Sequence, residues 1–160
     1  MTGFKINEVM QGYHYFLGEE PRIKKPMRFD AQWGPEDTKY WMSCLLLGGP
    51  ARCGLKGTVT IEGLCDKEPI AGSICLDYFG MGTITYSFIF SVNGIDYLYT
   101  GEKVNIKPWN LLTSHTTCFG TLEQVEYDEL EIRNVELISR SVTFFKAKTV
   151  PGFLGSFRLT

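Results

Sequence analysis

The chain has 160 residues, a formal net charge of −2 and 14% aromatic residues, and its pI is about 5.7. This length suits a single domain over residues 1–160, which buries roughly 70% of its unfolded surface without disulfide bonds. Because neutralising phosphates requires a basic surface, the acidic balance excludes nucleic acid as the main partner.

The sequence predicts a cytoplasmic protein without a membrane span. Residues 1–9 lack the apolar stretch of a signal peptide, and no apolar run approaches the roughly 20 residues that cross a bilayer. The five cysteines are an odd number and include no Cys-x-x-Cys pair, which favours reduced thiols.

Alternating apolar and polar residues predict strands in the first half of the chain at residues 4–17, 23–33, 55–64 and 70–79. The second of them carries a small basic cluster and Pro26, which is typical of an edge strand or a bulge. After it, Pro35 and two acids favour a helix start, and a Gly-Gly-Pro sequence over residues 48–50 ends the helix. A loop followed by a strand over residues 42–47 is the alternative.

Residues 82–101 predict a β-hairpin with an aromatic inner face. On both sides of Asn93 and Gly94, apolar residues alternate with polar ones, so each strand has one apolar face. An Asn-Gly pair accepts positive φ at both central positions of a tight turn. The inward aromatic residues are expected to be Tyr86, Phe88, Phe90, Tyr97 and Tyr99, joined by Tyr78 from the preceding strand.

Beyond the hairpin, the sequence predicts strands at residues 103–106, 116–125, 127–133 and 153–159. A second helix is expected over residues 134–148, because Ile138, Val142 and Phe145 recur at helical spacing and Pro151 follows.

Together these segments predict an all-β fold: a single antiparallel meander barrel, lipocalin- or calycin-like, with one or two short helices. A closed meander of about eight strands encloses either a packed interior or one small ligand. The sequence leaves open whether the sheet closes or splits into a sandwich.

Short motifs follow one another over nearly the whole chain. The first is a Phe-x-x-x-Glu-x-Met-x-Gly segment that begins at Phe4. The later ones comprise Gly57, Val59, Gly72, Tyr86, Phe88, Phe90, Gly94, Tyr97, Gly101, Lys103, Thr116, Thr117, Thr121 and Leu122. In this order they resemble a β-barrel domain that accompanies or neighbours bacterial glucose–methanol–choline oxidoreductases of the sterol-oxidase-like type.

The resemblance implies an accessory or stand-alone β domain that handles an apolar substrate, with an oxidoreductase as a candidate partner. It carries over no catalytic residue. The chain itself has no Gly-x-Gly-x-x-Gly pattern and no room for a flavin fold, so no cofactor is expected.

Glu8 shares the apolar face of the first strand and is the candidate catalytic residue. A carboxylate facing an apolar interior is costly unless it is paired, and such a group can act as a general acid or base. The alternatives are that the strand face reverses near its end, or that Glu8 pairs with Lys103 or Arg158. Lys103, at the mouth of the hairpin, is expected to bind an anionic head group, to lie exposed in a loop, or to pair with Glu8.

The aromatic hairpin residues either form a structural core or line a pocket, where phenol hydroxyls would orient a ligand. Inward glycines at positions 12, 57 and 72 favour a cavity, because glycine adds no side chain to fill the interior; the alternative is that they permit sharp strand bends.

Metal and thiol chemistry are not predicted. His14 and His115 are the two histidines and lack the acidic spacing of a metal site, so no metal is expected. Cys118 follows His115 by three residues, which on a strand places the two side chains on opposite faces.

Three functions compete. The favoured prediction is binding of a small apolar molecule, such as a lipid or sterol, by Glu8, Lys103 and the hairpin rings. The second is a metal-independent acid–base enzyme of the isomerase or cyclase type. The third is an interaction domain that docks an oxidoreductase. A homodimer through an edge strand is a further expectation.

Overall fold

In a computed structural model, which describes residues 3–77, 79–104, 117–129, 131–145 and 157–159, the chain forms nine β-strands and one α-helix. In chain order they are β1 Phe4–Phe16, β2 Lys25–Trp33, α1 Thr38–Leu46, β3 Ala51–Ile61, β4 Cys65–Asp77, β5 Thr83–Val92, β6 Ile95–Lys103, β7 Thr117–Asp128, β8 Glu131–Phe145 and β9 Phe157–Leu159.

The strands form a closed antiparallel barrel. Each strand from β1 to β8 pairs with the next, and β8 returns to pair with β1 over Met10–Phe16. The short β9 continues along the same edge of β1, at Phe4–Ile6. The predicted all-β meander barrel is therefore confirmed. The sheet closes into a barrel and does not split into a sandwich.

Closure corrects the expectation of an edge strand at residues 23–33. β2 pairs with β1 on one side and with β3 on the other. Pro26 is tolerated because it lies at the start of β2, where its missing N–H removes little of the ladder. Each of the strands β1–β8 has two neighbours. None of these eight is therefore the edge strand through which a homodimer was expected to form.

The aromatic hairpin is confirmed. β5 and β6 are joined by Asn93 and Gly94, whose φ angles of 52° and 80° are both left-handed, as a tight hairpin turn requires. The register sets Phe88 opposite Tyr99. Tyr78 lies outside the described residues.

The first predicted helix is confirmed, and the alternative strand over residues 42–47 is wrong. The Asp37 carboxylate caps α1 by accepting hydrogen bonds from the N–H groups of Lys39 and Tyr40, at 3.0 and 3.2 Å. Trp41 is buried edge-on against Phe4 of β1, with ring centroids 5.5 Å apart, which fastens the helix to the barrel. No helix in the described ranges has the length and apolar character needed to cross a membrane.

The second predicted helix is wrong over residues 134–145, which belong to β8. Ser139, Ser141 and Thr143 of this strand are buried. Because its inward face carries hydroxyls, the usual apolar alternation of a strand is absent, and the spacing of Ile138 and Val142 imitated a helix. Residues 146–148, and 153–156 of the predicted closing strand, lie outside the described residues.

The two ends of the barrel differ. At the end that we call the turn end, tight turns join β3 to β4 and β5 to β6. At the opposite end, the helix end, α1 joins β2 to β3, and β6 ends at Lys103.

The inward glycines permit close backbone approach and do not leave open space. A Cβ at Gly72 would lie 1.9 Å from the Ser87 carbonyl oxygen, and one at Gly12 would lie 2.0 Å from that of Val142. The geometry at these two glycines therefore does not fit the cavity alternative, and strand bending stays a prediction.

Candidate binding site in the barrel interior

The predicted aromatic residues all point into the barrel and are buried: Tyr86, Phe88, Phe90, Tyr97 and Tyr99. Phe29 of β2 reaches them from the opposite wall, with ring centroids 5.3 Å from Phe88 and 5.4 Å from Tyr99. Phe88 and Tyr99 are stacked at 4.6 Å. These rings pack the middle of the barrel, as the structural-core alternative expected. Their role in ligand binding stays a prediction.

Glu8 and Lys103 form an ion pair inside the barrel. The Lys103 ammonium lies 3.1 Å from Glu8 Oε1, and the two residues are only 2% and 5% exposed. Trp33 Nε1 donates to Glu8 Oε2 at 3.3 Å, and the Tyr86 hydroxyl donates to Oε1. The alternative in which Glu8 pairs with Lys103 is therefore the geometry found, and Arg158 has no described side chain.

Burial makes this ion pair depend on its hydrogen bonds. Taking two charges out of water costs several kcal/mol per ion, as an order of magnitude, unless the remaining donors and acceptors are satisfied. Glu8 has three donors, and the Lys103 ammonium also lies 5.1 Å from the centre of the Tyr86 ring. Burial, reinforced by the charge of Glu8, raises the pKa of Tyr86 well above its usual value, so the phenol stays a donor.

A second set of polar side chains, which we call the polar wall, consists of Tyr99, Cys118, Ser141 and Thr143. The Tyr99 hydroxyl lies 3.6 Å from Cys118 Sγ. The hydroxyls of Ser141 and Thr143 are close enough to favour the ionised form of Tyr99, although burial dominates and raises its pKa well above the usual value. Neither hydroxyl makes a well-formed hydrogen bond within the described residues.

The ion pair and the polar wall form one site. Burial raises the pKa of Cys118 to about 11, while the nearby charge of Lys103 acts to lower it. The thiol is therefore protonated at neutral pH and serves as a weak hydrogen-bonding group. The Tyr99 ring occupies the space above two glycines, because a Cβ at Gly101 or Gly120 would lie 2.5 Å from its hydroxyl.

Sequence reasoning missed half of this site. Trp33 lies in the strand predicted at residues 23–33 and was given no role in the site. Cys118 was considered only with His115, which lies outside the described residues. The hydroxyl residues of β8 were read as part of a helix. Their alternation, Ser139-x-Ser141-x-Thr143, was the available signal, since every second residue of a strand faces the same side.

His14 closes the turn end of the barrel. It is fully buried, and its Nε2 donates to the Glu62 carbonyl at 2.9 Å, while its Nδ1 accepts from the Ser139 hydroxyl at 3.0 Å. Burial is the largest influence and lowers its pKa, and the charge of Lys25 lowers it further. The ring is therefore held neutral.

Stability is expected to fall as the pH drops from about 7 to about 5, because unfolded His14, with a pKa near 6.5, takes up a proton before the folded ring does. Unfolding by urea at several pH values measures this. In His14→Gln, whose amide can replace both hydrogen bonds, that part of the pH dependence should vanish. An unchanged slope in this variant would show that His14 does not titrate as described.

A small groove of about 250 Å³ runs along β7 and β8 past Phe119 and reaches Ser141 of the polar wall. Two larger grooves lie elsewhere on the outside of the barrel. One, of about 980 Å³, runs across β2 and β3 past Arg28 and Thr58. The other, of about 710 Å³, lies between α1 and β3 beside Trp41 and Arg52. Neither includes a predicted site residue, which separates both from the interior site.

Among the described residues, no group of three His, Cys, Asp or Glu side chains could hold a metal ion. We compared the chain with protein-family models, with curated proteins and with solved structures, and found no match. The resemblance to the domain beside glucose–methanol–choline oxidoreductases therefore stays a prediction, as do an oxidoreductase partner and a cytoplasmic location.

Proposed function

We propose that the barrel binds a small, largely apolar molecule such as a lipid or sterol, with its polar group at the interior site. The observation that carries this proposal is the pair of buried hydroxyls, Ser141 and Thr143, that lack well-formed hydrogen bonds beside the Glu8–Lys103 pair. Buried polar groups are nearly always satisfied by protein, water or a ligand. Small-molecule sites typically combine apolar walls with a few convergent polar groups, as this interior does.

The ends of the barrel favour entry from the helix end. At the turn end, tight turns join β3 to β4 and β5 to β6, residues 17–24 join β1 to β2, and buried His14 is bonded to β8 and to the backbone after β3. Lys103 is the last residue of β6, so the ion pair lies towards the helix end. A ligand entering there meets the polar groups beside the packed rings of Phe88 and Tyr99.

Displacement of the neutral fluorescent probe N-phenyl-1-naphthylamine by sterols and long-chain lipids tests the proposal. We expect saturable probe binding and displacement, and Thr143→Val should weaken the ligand about 2- to 10-fold, the effect of one hydrogen bond. The matched control is Tyr127→Ser, an exposed ring on the same strand β7, which should leave binding unchanged. Absence of saturable binding at high micromolar probe would refute the proposal.

An acid–base enzyme at the same site is the second candidate, and the Tyr86–Glu8 hydrogen bond beside Lys103 favours it. A phenol, a carboxylate and an ammonium in contact can relay a proton to or from a bound substrate. Deuterium exchange next to the carbonyl of a bound ketone, followed by NMR, tests this candidate. Exchange that persists unchanged in Glu8→Gln would remove Glu8 from such a mechanism.

A further inference from the structure

The interior side chains that the structure describes carry no net charge together. The charges of Glu8 and Lys103 compensate each other at 3.1 Å, and His14 is fully buried at the turn end, where burial keeps its ring neutral. The other buried polar side chains that the described part of the chain contributes are Ser139, Ser141 and Thr143, and all three are uncharged.

An anionic head group would therefore find its only described buried cation already paired. Placing a carboxylate beside Lys103 would set two anions around one ammonium in a medium where like charges repel strongly. Alternatively, the ligand would have to displace Glu8 from Lys103, which would leave the Glu8 charge buried without a counter-ion.

A neutral oxygen encounters neither difficulty. Ser141 and Thr143 can each donate one hydrogen bond and accept others, and neither has a well-formed partner among the described residues. A ligand hydroxyl or carbonyl can satisfy both without changing the charge of the site. The surrounding rings of Phe29, Phe88 and Tyr99 supply apolar contact for the rest of the molecule.

We infer that the ligand of the barrel is a neutral apolar alcohol, aldehyde or ketone and not a fatty acid. This inference rests on the proposed function and narrows it to a chemical class. Of the three roles that the sequence offered for Lys103, it favours the pair with Glu8 over binding of an anionic head group. In the folded protein its role is to neutralise Glu8.

A matched pair of ligands, dodecan-1-ol and dodecanoate, tests the inference at about pH 7.5, where the acid is ionised. Both are titrated against bound N-phenyl-1-naphthylamine below their aggregation limits. We expect the wild-type protein to bind dodecan-1-ol at least about tenfold more tightly than dodecanoate. Dodecanoate binding equally well or better would overturn the inference and leave the proposed function standing.

The Glu8→Gln variant tests the cause. Removing the carboxylate frees the charge of Lys103, so the preference should shift at least about tenfold towards dodecanoate. Ser141→Ala with Thr143→Val keeps both charges and should weaken the alcohol more than the acid. An unchanged preference in both variants would contradict the charge argument. If neither the probe nor either ligand binds the wild-type protein, the proposed function fails together with the inference.

Discussion

Replacing Lys103 with methionine is expected to lower the free energy of unfolding by about 3–5 kcal/mol, the usual loss when one partner of a buried ion pair is removed. The cause is the Glu8 carboxylate, which is 5% exposed and would keep hydrogen bonds from Trp33 and Tyr86 but no counter-charge. Urea unfolding followed by circular dichroism measures the loss.

The double variant Glu8→Gln with Lys103→Met is the control. The glutamine still accepts from Tyr86 and Trp33, so this variant should recover much of the stability that Lys103→Met alone loses. A loss that is equal in the single and double variants would mean that the ion pair is not the reason.

Truncating Phe88 to alanine is expected to cost about 3–5 kcal/mol, the range measured for buried phenylalanines. Phe88 is 1% exposed and packs against both Phe29 and Tyr99, so its removal takes away ring contacts from both walls and leaves a cavity. Thermal and urea unfolding measure the effect, and the cavity should increase uptake of N-phenyl-1-naphthylamine by the folded fraction.

Phe119 provides the matched comparison, since its side chain is 54% exposed on the outer face of the barrel. Its truncation to alanine should change stability by no more than about 0.5 kcal/mol, as is usual for exposed positions. Similar losses at both positions would mean that the hairpin rings do not form the core that supports the site.

Regular local patterns accounted for the elements that the sequence predicted correctly. The hairpin follows from alternating residues around Asn93-Gly94, and α1 follows from a capping Asp37 and a terminal Gly-Gly-Pro. Both signals act within a few residues, so distant parts of the chain cannot easily override them. The inward position of Glu8 followed from the same alternation.

The strand that the sequence did not predict, β8, departs from these patterns. β8 turns Ser141 and Thr143 inwards, so it lacks the apolar alternation by which strands are recognised. Its strand form depends on pairing with β7 on one side and β1 on the other, partners far away in sequence. A strand whose inner face is polar therefore cannot be recognised from the pattern of its neighbouring residues alone.

By itself, the sequence determined that most segments are strands, that an aromatic hairpin faces inwards and that Glu8 lies among apolar residues, because each of these depends on the period of neighbouring side chains. Only the tertiary structure decided that the sheet closes, that Glu8 meets Lys103 across 95 positions, and that Trp33, Cys118 and Thr143 join them. Closure brings distant strands to a common interior, and which side chains meet there depends on pairing register, a long-range property that no local pattern encodes.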